Sequence, residues 1–349
     1  MELKRQELLN ALTIVKPGLA KNEIIEQMTH FLFANDSIVT YNDQICVSYK
    51  FPIGIFCSVK ADDFYKIVSK LEKETVELDV INTDEQNTLL IKEEGFESGL
   101  PIITEHQIQD NLKLLADEIE QEKMKWSDLP KGFLEGAYLC SFSASRDETQ
   151  GPYTCIFFTG KDIFCGESFR VSKYEMEEEV PESFLFRASS ISELKIIDPI
   201  KYKITTSWIH FKNKGNNTMS IRKALYPKYP YEKFLSLFDT PMKNKLKLPT
   251  KLKACVELVG IMTKNDVLVD RSIDIKFETN KMICKAKSQV GGWIKKELEI
   301  HYLGNTINIK VDPVVLLEIL SHSVTTMGFT DKLALFKMGN FKHLISLYV

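Results

Sequence analysis

At 349 residues, 44% hydrophobic and 27% charged, the chain is too long for one comfortable core and has the composition of a soluble globular protein of two or three domains. Its net charge of -3 excludes a globally basic nucleic-acid binder, so any DNA contact needs positive charge gathered on one face. No apolar run approaches the roughly 20 residues of a membrane helix, and the charged first seven residues do not read as a signal peptide. Seven cysteines with no CxxC pair read as reduced, buried thiols of a cytoplasmic protein.

In the first third, Leu8, Leu12, Val15 and Leu19 recur at helical spacing with Gln6, Asn10 and Thr13 opposite. Residues 29–33 and 37–41 flank an Ala-Asn-Asp turn and read as a hairpin. Lys60-Ala61-Asp62-Asp63-Phe64-Tyr65-Lys66-Ile67 leaves a short strand and opens a second helix. Its buried stripe is Phe64, Ile67, Val68 and Leu71, with Lys66, Lys70 and Lys73 as a separate basic stripe at i, i+4, i+7. Residues 111–124 are rich in helix formers and predict a connecting helix outside the repeat.

The middle third begins with Pro130 before the helical set Phe133, Leu134, Ala137 and Tyr138. Residues 154–158 and 162–165 flank Thr-Gly-Lys as a hairpin. The acidic run at 175–179 predicts a solvated loop on an outer edge. Arg187-Ala188-Ser189-Ser190-Ile191-Ser192-Glu193-Leu194 again passes from strand to helix, and residues 203–205 and 207–211 read as strands. Tyr226-Pro227-Lys228-Tyr229-Pro230 predicts the extended start of a linker. In the last third, Pro249-Thr250, with Thr250 as expected N-cap, precede Ala254, Cys255, Leu258, Val259 and Met262. Residues 273–277 and 281–284 form a third hairpin around Glu-Thr-Asn, and Lys310-Val311-Asp312-Pro313-Val314-Val315-Leu316-Leu317 is the third strand-to-helix passage.

These passages stand about a third of the chain apart. They predict an α+β protein of three similar domains, each with two helices packed on antiparallel sheet: 1–108, a connecting helical linker at 109–126, then 127–229 and 230–349. No enzyme is expected. HExxH, GxxxxGK[ST] and GxGxxG are all missing, the six histidines are spread singly, and Ser141-Phe142-Ser143-Ala144-Ser145 lacks the glycines of a nucleophile elbow. No metal or cofactor is expected.

The three-unit plan resembles the bacterial sliding clamp family, the β subunit of the replicative polymerase, and most closely its phage versions. The resemblance rests on Val39-Thr40-Tyr41-Asn42-Asp43-Gln44-Ile45, on Phe164-Cys165-Gly166-Glu167-Ser168-Phe169-Arg170-Val171, on Arg222-Lys223-Ala224-Leu225-Tyr226-Pro227-Lys228-Tyr229, and on the closing hairpin at 336–347. It spans nearly the whole chain, and its specificity lies in the order and spacing of motifs that are individually degenerate. It implies a DNA polymerase processivity factor: a head-to-tail homodimer ring around duplex DNA, with helices lining the hole and sheets outside. The ring would tether polymerase and clamp loader through short peptide motifs, in the cytoplasm of the cell or of a phage host. A monomeric clamp-like adaptor that encircles no DNA is the alternative.

On that resemblance, Arg5, Lys16, Lys66, Lys70, Lys73, Lys131, Arg146, Lys195, Lys251, Lys253 and Lys264 are expected to face DNA, contacting phosphates without reading bases; a solvated helix face is the other reading. Ile261 and Met262 fall at the family's apolar subunit interface, or in a core. The family's peptide groove maps onto Gly166, Phe169, Arg170, Val171, Pro227, Leu344, Ile345, Ser346 and Leu347. Phe169 stands where a histidine is common, and Tyr348-Val349 replaces the usual Pro-Met-Arg-Leu end, so other peptides are expected there.

Overall fold

The computed structural model describes residues 1–23, 25–83, 86–104, 109–120, 125–226, 228–264 and 271–348. Pro227 of the expected groove and residues 121–124 of the expected connecting helix lie outside them. The first third forms β1 (Glu2–Lys4), α1 (Arg5–Val15), β2 (His30–Ala34), β3 (Ser37–Tyr41), β4 (Ile45–Lys50), β5 (Phe56–Lys60), α2 (Ala61–Lys70), β6 (Thr75–Asn82), β7 (Asn87–Glu93), β8 (Phe96–Ile103) and α3 (Gln109–Glu120). The middle forms β9 (Ser127–Asp128), α4 (Phe133–Ser141), β10 (Cys155–Thr159), β11 (Asp162–Gly166), β12 (Arg170–Glu175), β13 (Phe184–Arg187), α5 (Ser190–Ile197), β14 (Lys201–Ile204), β15 (Trp208–Lys212) and β16 (Thr218–Arg222). The last third forms α6 (Tyr231–Phe238), β17 (Asn244–Lys247), α7 (Leu252–Gly260), β18 (Ile273–Glu278), β19 (Lys281–Lys287), β20 (Trp293–Glu299), β21 (Ile307–Val311), α8 (Pro313–Ser321), β22 (Thr326–Phe329), β23 (Leu333–Met338) and β24 (Phe341–Ser346).

Contacts gather these elements into two compact units, residues 1–129 with 189–223 and residues 130–188 with 224–349. Strand pairing is the cause. In the first unit β16 pairs with β4, setting Met219 opposite Val47 and Ile221 opposite Ile45, so twelve strands join in the order β1-β6-β7-β8-β5-β2-β3-β4-β16-β15-β14-β9. In the second unit β12 pairs with β24, setting Arg170 opposite Ile345. Eight strands follow as β13-β10-β11-β12-β24-β23-β22-β17, beside a four-stranded sheet β20-β19-β18-β21.

All three strand-to-helix passages and all three hairpins are present. Each hairpin turns on one residue in the left-handed region, Asn35 (φ 56), Gly160 (φ 53) and Asn280 (φ 56), where Gly and Asn carry the least steric penalty. Helix α1 buries Leu8, Ala11, Leu12 and Val15 completely and ends at Pro17-Gly18, where the Thr40 hydroxyl donates to the Val15 carbonyl. A Cβ at Gly18 would collide with Thr40. In α2, Phe64 meets Phe31 and Phe33 edge-on at 6.4 and 5.4 Å. In the second unit Phe133 of α4 stacks on Phe158 at 4.6 Å, which in turn stacks on Phe184 at 4.8 Å. All seven cysteines are buried and free of disulfides.

Three expectations change. Thr250 does not cap α7; Lys251 holds that position and no side chain accepts there. Helix α2 ends at Lys70, so Lys73 lies beyond it, where its backbone N–H donates to Glu93. The connecting helix α3 is core rather than free connector: Leu115 is buried with Met28, Leu32, Tyr41, Cys46 and Trp208, and Lys203 donates to the Ile119 carbonyl at 2.5 Å. Residues 228–230 carry no helix or strand, and α6, a helix that the sequence reading does not name, follows them. In α6, Phe234 is buried with Tyr229, Phe164, Val171, Leu335 and Leu344, with Leu235 and Phe238 packed alongside; the apolar spacing 234, 235, 238 is helical, and the prolines before it hid that signal.

Candidate functional site

A cavity of about 650 Å³ opens in the second unit. It is built from the end of β24, the turn before β12 and the first turns of α8. Phe169, Arg170, Ile345, Ser346 and Leu347 line it, together with Arg146, Glu167, Arg271, Val311, Asp312, Val314, Val315, Glu318 and Tyr348. The Ser346 N–H donates to the Phe169 carbonyl at 2.8 Å and holds the two lips together.

Charges in the cavity cancel pairwise. Arg170, only 8% exposed, donates to Glu167 at 2.8 Å and to Glu318 at 2.6 Å. Arg146 reaches Glu318 at 3.6 Å. Arg271 forks onto Asp312, with Nη2 to Oδ2 at 2.7 Å and Nε to Oδ2 at 3.0 Å. With the charges internally satisfied, exposed Phe169, Val314 and Tyr348 offer apolar surface to an entering side chain. The cavity has room for an apolar side chain beside a few fixed polar groups.

Asp312 links this site to the fold. It accepts from the Val314 N–H at 2.7 Å as the N-cap of α8 while holding Arg271. Asp312→Ala is therefore expected to lower stability by about 2–3 kcal/mol, a lost cap plus an uncompensated half-buried guanidinium. Asp312→Asn should recover about 1 kcal/mol of cap. Urea unfolding measures both, and a loss within the ordinary surface range would refute the linkage.

Gly166, Val171 and Leu344 do not line the cavity. A Cβ on Gly166 would meet the Arg170 carbonyl at 2.8 Å. Val171 and Leu344 alternate with Arg170 and Ile345 along their strands, so they point to the opposite face, where Phe234 of α6 covers them. Reading Arg170, Val171, Leu344 and Ile345 as one wall ignored this alternation. The residues of α8 and Arg271 were missed because they are distant in sequence; Asp312 directly before Pro313 was the one local signal that a helix starts there.

The expected DNA-facing cations divide by partner. Lys66 pairs with Asp62 at 2.5 Å, Lys73 with Glu94 at 2.6 Å, and Lys131 with Glu177 at 3.7 Å. Arg5 donates to the Lys73 carbonyl at 3.0 Å, and Lys16 sits 3.1 Å over the Tyr65 ring. Arg146 lies at the cavity instead. Lys195 is exposed. Lys70, Lys251, Lys253 and Lys264 are exposed and carry no ion pair among the described residues. At the end of α7, Ile261 is 57% exposed and Leu258 43%, while Met262 is half-buried. Ile261 is thus not core. Helix α7 packs against β19 and β20, and β20 is the end strand of its sheet and carries the exposed Trp293.

No family model and no curated protein matches the sequence. Solved structures do. The DNA polymerase sliding clamp of Bacillus subtilis superposes with a TM-score of 0.81 at 18% identity, covering 100% of this chain and 98% of that one. The chain has the sliding-clamp fold. The DNA polymerase III β chain of Streptococcus pneumoniae matches with a TM-score of 0.83 at 17% identity, over 100% and 99% of the two chains. The β sliding clamp of Caulobacter crescentus, whose structure holds polyethylene glycol at its putative β-motif tethering region, matches with a TM-score of 0.83 at 14% identity over 100% and 98%. The α+β architecture and its sheets follow the three-domain sliding-clamp fold from end to end.

Proposed function

We propose that the protein is a DNA polymerase processivity factor: a sliding clamp that closes as a head-to-tail homodimer around duplex DNA and tethers a polymerase. The observation that carries this reading is the end-to-end match to sliding clamps, TM-scores of 0.81 and 0.83 over the full chain. The three domains are assigned to 1–108, 127–229 and 230–349. The 650 Å³ cavity receives short peptides of polymerase and clamp loader, and its cancelled charges favour apolar anchors over charged ones.

The basic helix positions suit a moving contact. Five of the eleven assigned cations are already ion-paired or stacked, and sequence-blind phosphate contacts by the others are weak and sensitive to salt. Exposed Leu258 and Ile261 on α7 and its end, together with the end strand β20, supply an apolar patch and backbone groups for a second copy, as a head-to-tail, ring-closing contact requires. No chemistry is assigned to the protein; tethering needs only geometry.

The test is sedimentation equilibrium over a dilution series, followed by retention on closed circular and linearised DNA. The expected result is a two-subunit mass and retention on the circle that is lost when the circle is cut. Ile261→Glu should give single-subunit mass and no retention, since a buried unpaired carboxylate costs several kcal/mol. A wild-type monomer at high concentration with no topological retention would overturn the reading.

A further inference from the structure

The eight-stranded sheet carries a line of lysines that the reading above does not use. Register sets Lys247 of β17 opposite Thr326 of β22, Thr326 opposite Lys337 of β23, Lys337 opposite Lys342 of β24, and Lys342 opposite Lys173 of β12. Directly opposed residues share a sheet face, and adjacent strands lie about 4.8 Å apart. Lys245 joins the same face two residues before Lys247. Only Lys173 is neutralised, by Asp162 at 2.8 Å. Lys245, Lys247 and Lys337 are exposed and Lys342 is half-buried, and none of the four has an ion pair among the described residues.

Like charges directly opposite each other weaken a sheet. Packing therefore gives no reason for the row, and its charge remains available to something outside the chain. Beside it lies a hollow of about 500 Å³, with Met242, Met327 and Leu335 as its apolar lining and Lys245, Lys247 and Lys337 at its rim. Strand β17, at one side of the hollow, is the end strand of the sheet, and an end strand presents backbone groups to an added segment.

We propose that this row and hollow form a docking surface for an acidic polypeptide segment carrying an apolar side chain. The carboxylates meet Lys245, Lys247, Lys337 and Lys342 while the apolar group enters the hollow. Charge complementarity selects an acidic partner. The thioether and leucine lining suits an aliphatic side chain of a polypeptide, and His301 is the one ring among the described lining residues on which a base could stack.

The probe is a short fluorescein-labelled peptide of glutamates with one central leucine, followed by anisotropy at low salt, with the full chain and no DNA or polymerase present, so failure here is separate from failure of the clamp reading. Lys247→Glu/Lys337→Glu is expected to weaken binding by about tenfold or more. Lys285→Glu on the four-stranded sheet should leave it unchanged. The neutral Lys247→Gln/Lys337→Gln variant should fall between, which guards against misfolding of the charge reversal. Absence of wild-type binding, or equal binding by all variants, would overturn the proposal. So would displacement of the peptide by a single-stranded oligonucleotide that binds more tightly at the same lysines.

Discussion

Lowering the pH from 7 to 5 is expected to cost the protein about 2 kcal/mol of folding stability through His210, with a further loss of the same sign through His343, two buried imidazoles, one in each unit. His210 is fully buried between Ser220, 2.7 Å from Nδ1, and Thr205, 3.1 Å from Nε2. The Thr205 hydroxyl donates onward to Glu118 of α3 at 2.6 Å. Burial, aided by the Lys203 ammonium, pushes the His210 pKa down to about 3. His343 is fully buried among Phe142, Phe341, Ser143 and Ser172. Its Nε2 has no hydrogen-bond partner among the described residues. Burial first, then the charges of Arg170 and His322, hold its pKa well below the ordinary value.

Both shifts act with the same sign. The unfolded chain takes up protons near pH 6.5, where the folded imidazoles stay neutral, so stability is full above that pH and falls as pH drops below it. His210 contributes about 1.4 kcal/mol per pH unit in that window, and His343 acts in the same direction. The His210 contribution stops growing only near its folded value of about 3. His30 and His322 are also lowered, by burial, and reinforce the trend. Urea midpoints at the two pH values measure the loss. A change under about 1 kcal/mol would mean the imidazoles are solvated or already charged in the folded state. His210→Gln should remove about half of the pH dependence.

Phe234→Ala is expected to cost about 3–4 kcal/mol, as for other large aromatic truncations in well-packed clusters. Phe234 is 3% exposed, meets Tyr229 edge-on at 5.8 Å and Tyr153 at 6.3 Å, and anchors α6 over Val171 and Leu344. Only eight residues long, α6 cannot persist as an isolated helix in water. Losing its anchor should therefore release it and bare the apolar strand face beneath. Limited proteolysis should then cut within α6, and an apolar dye should bind more strongly than to the wild type. A cost of a few tenths of a kcal/mol with unchanged proteolysis would show that the helix is held by other contacts.

The link between this helix and the groove shows where the sequence stops being legible. The family resemblance, carried over residue by residue, places Val171 and Leu344 in the groove with Arg170 and Ile345. In a strand, adjacency means opposite faces, and β12 pairing with β24 sends one pair into the cavity and the other under Phe234. Lys66, Lys70 and Lys73 likewise matched a helical stripe, but α2 ends at Lys70, and two of the three ammonium groups are held by Asp62 and Glu94. Periodicity reports which way a side chain points, not which charge waits there.

By itself the sequence determined the three strand-to-helix passages, the three hairpin turns, the buried faces of α1 and α2, and the absence of familiar catalytic motifs. These are local properties: caps, left-handed turn residues and apolar spacing act over a few residues, and each recurs a third of the chain later. Only the tertiary structure decided what those elements share. It joined Arg170 to Glu318, 148 residues away, and brought four unpaired lysines from three strands to one face. It also packed the linker helices α3 and α6 into cores. The reason is physical: strand register and ion pairing between distant segments depend on which backbones come to lie side by side, and no local propensity encodes that choice.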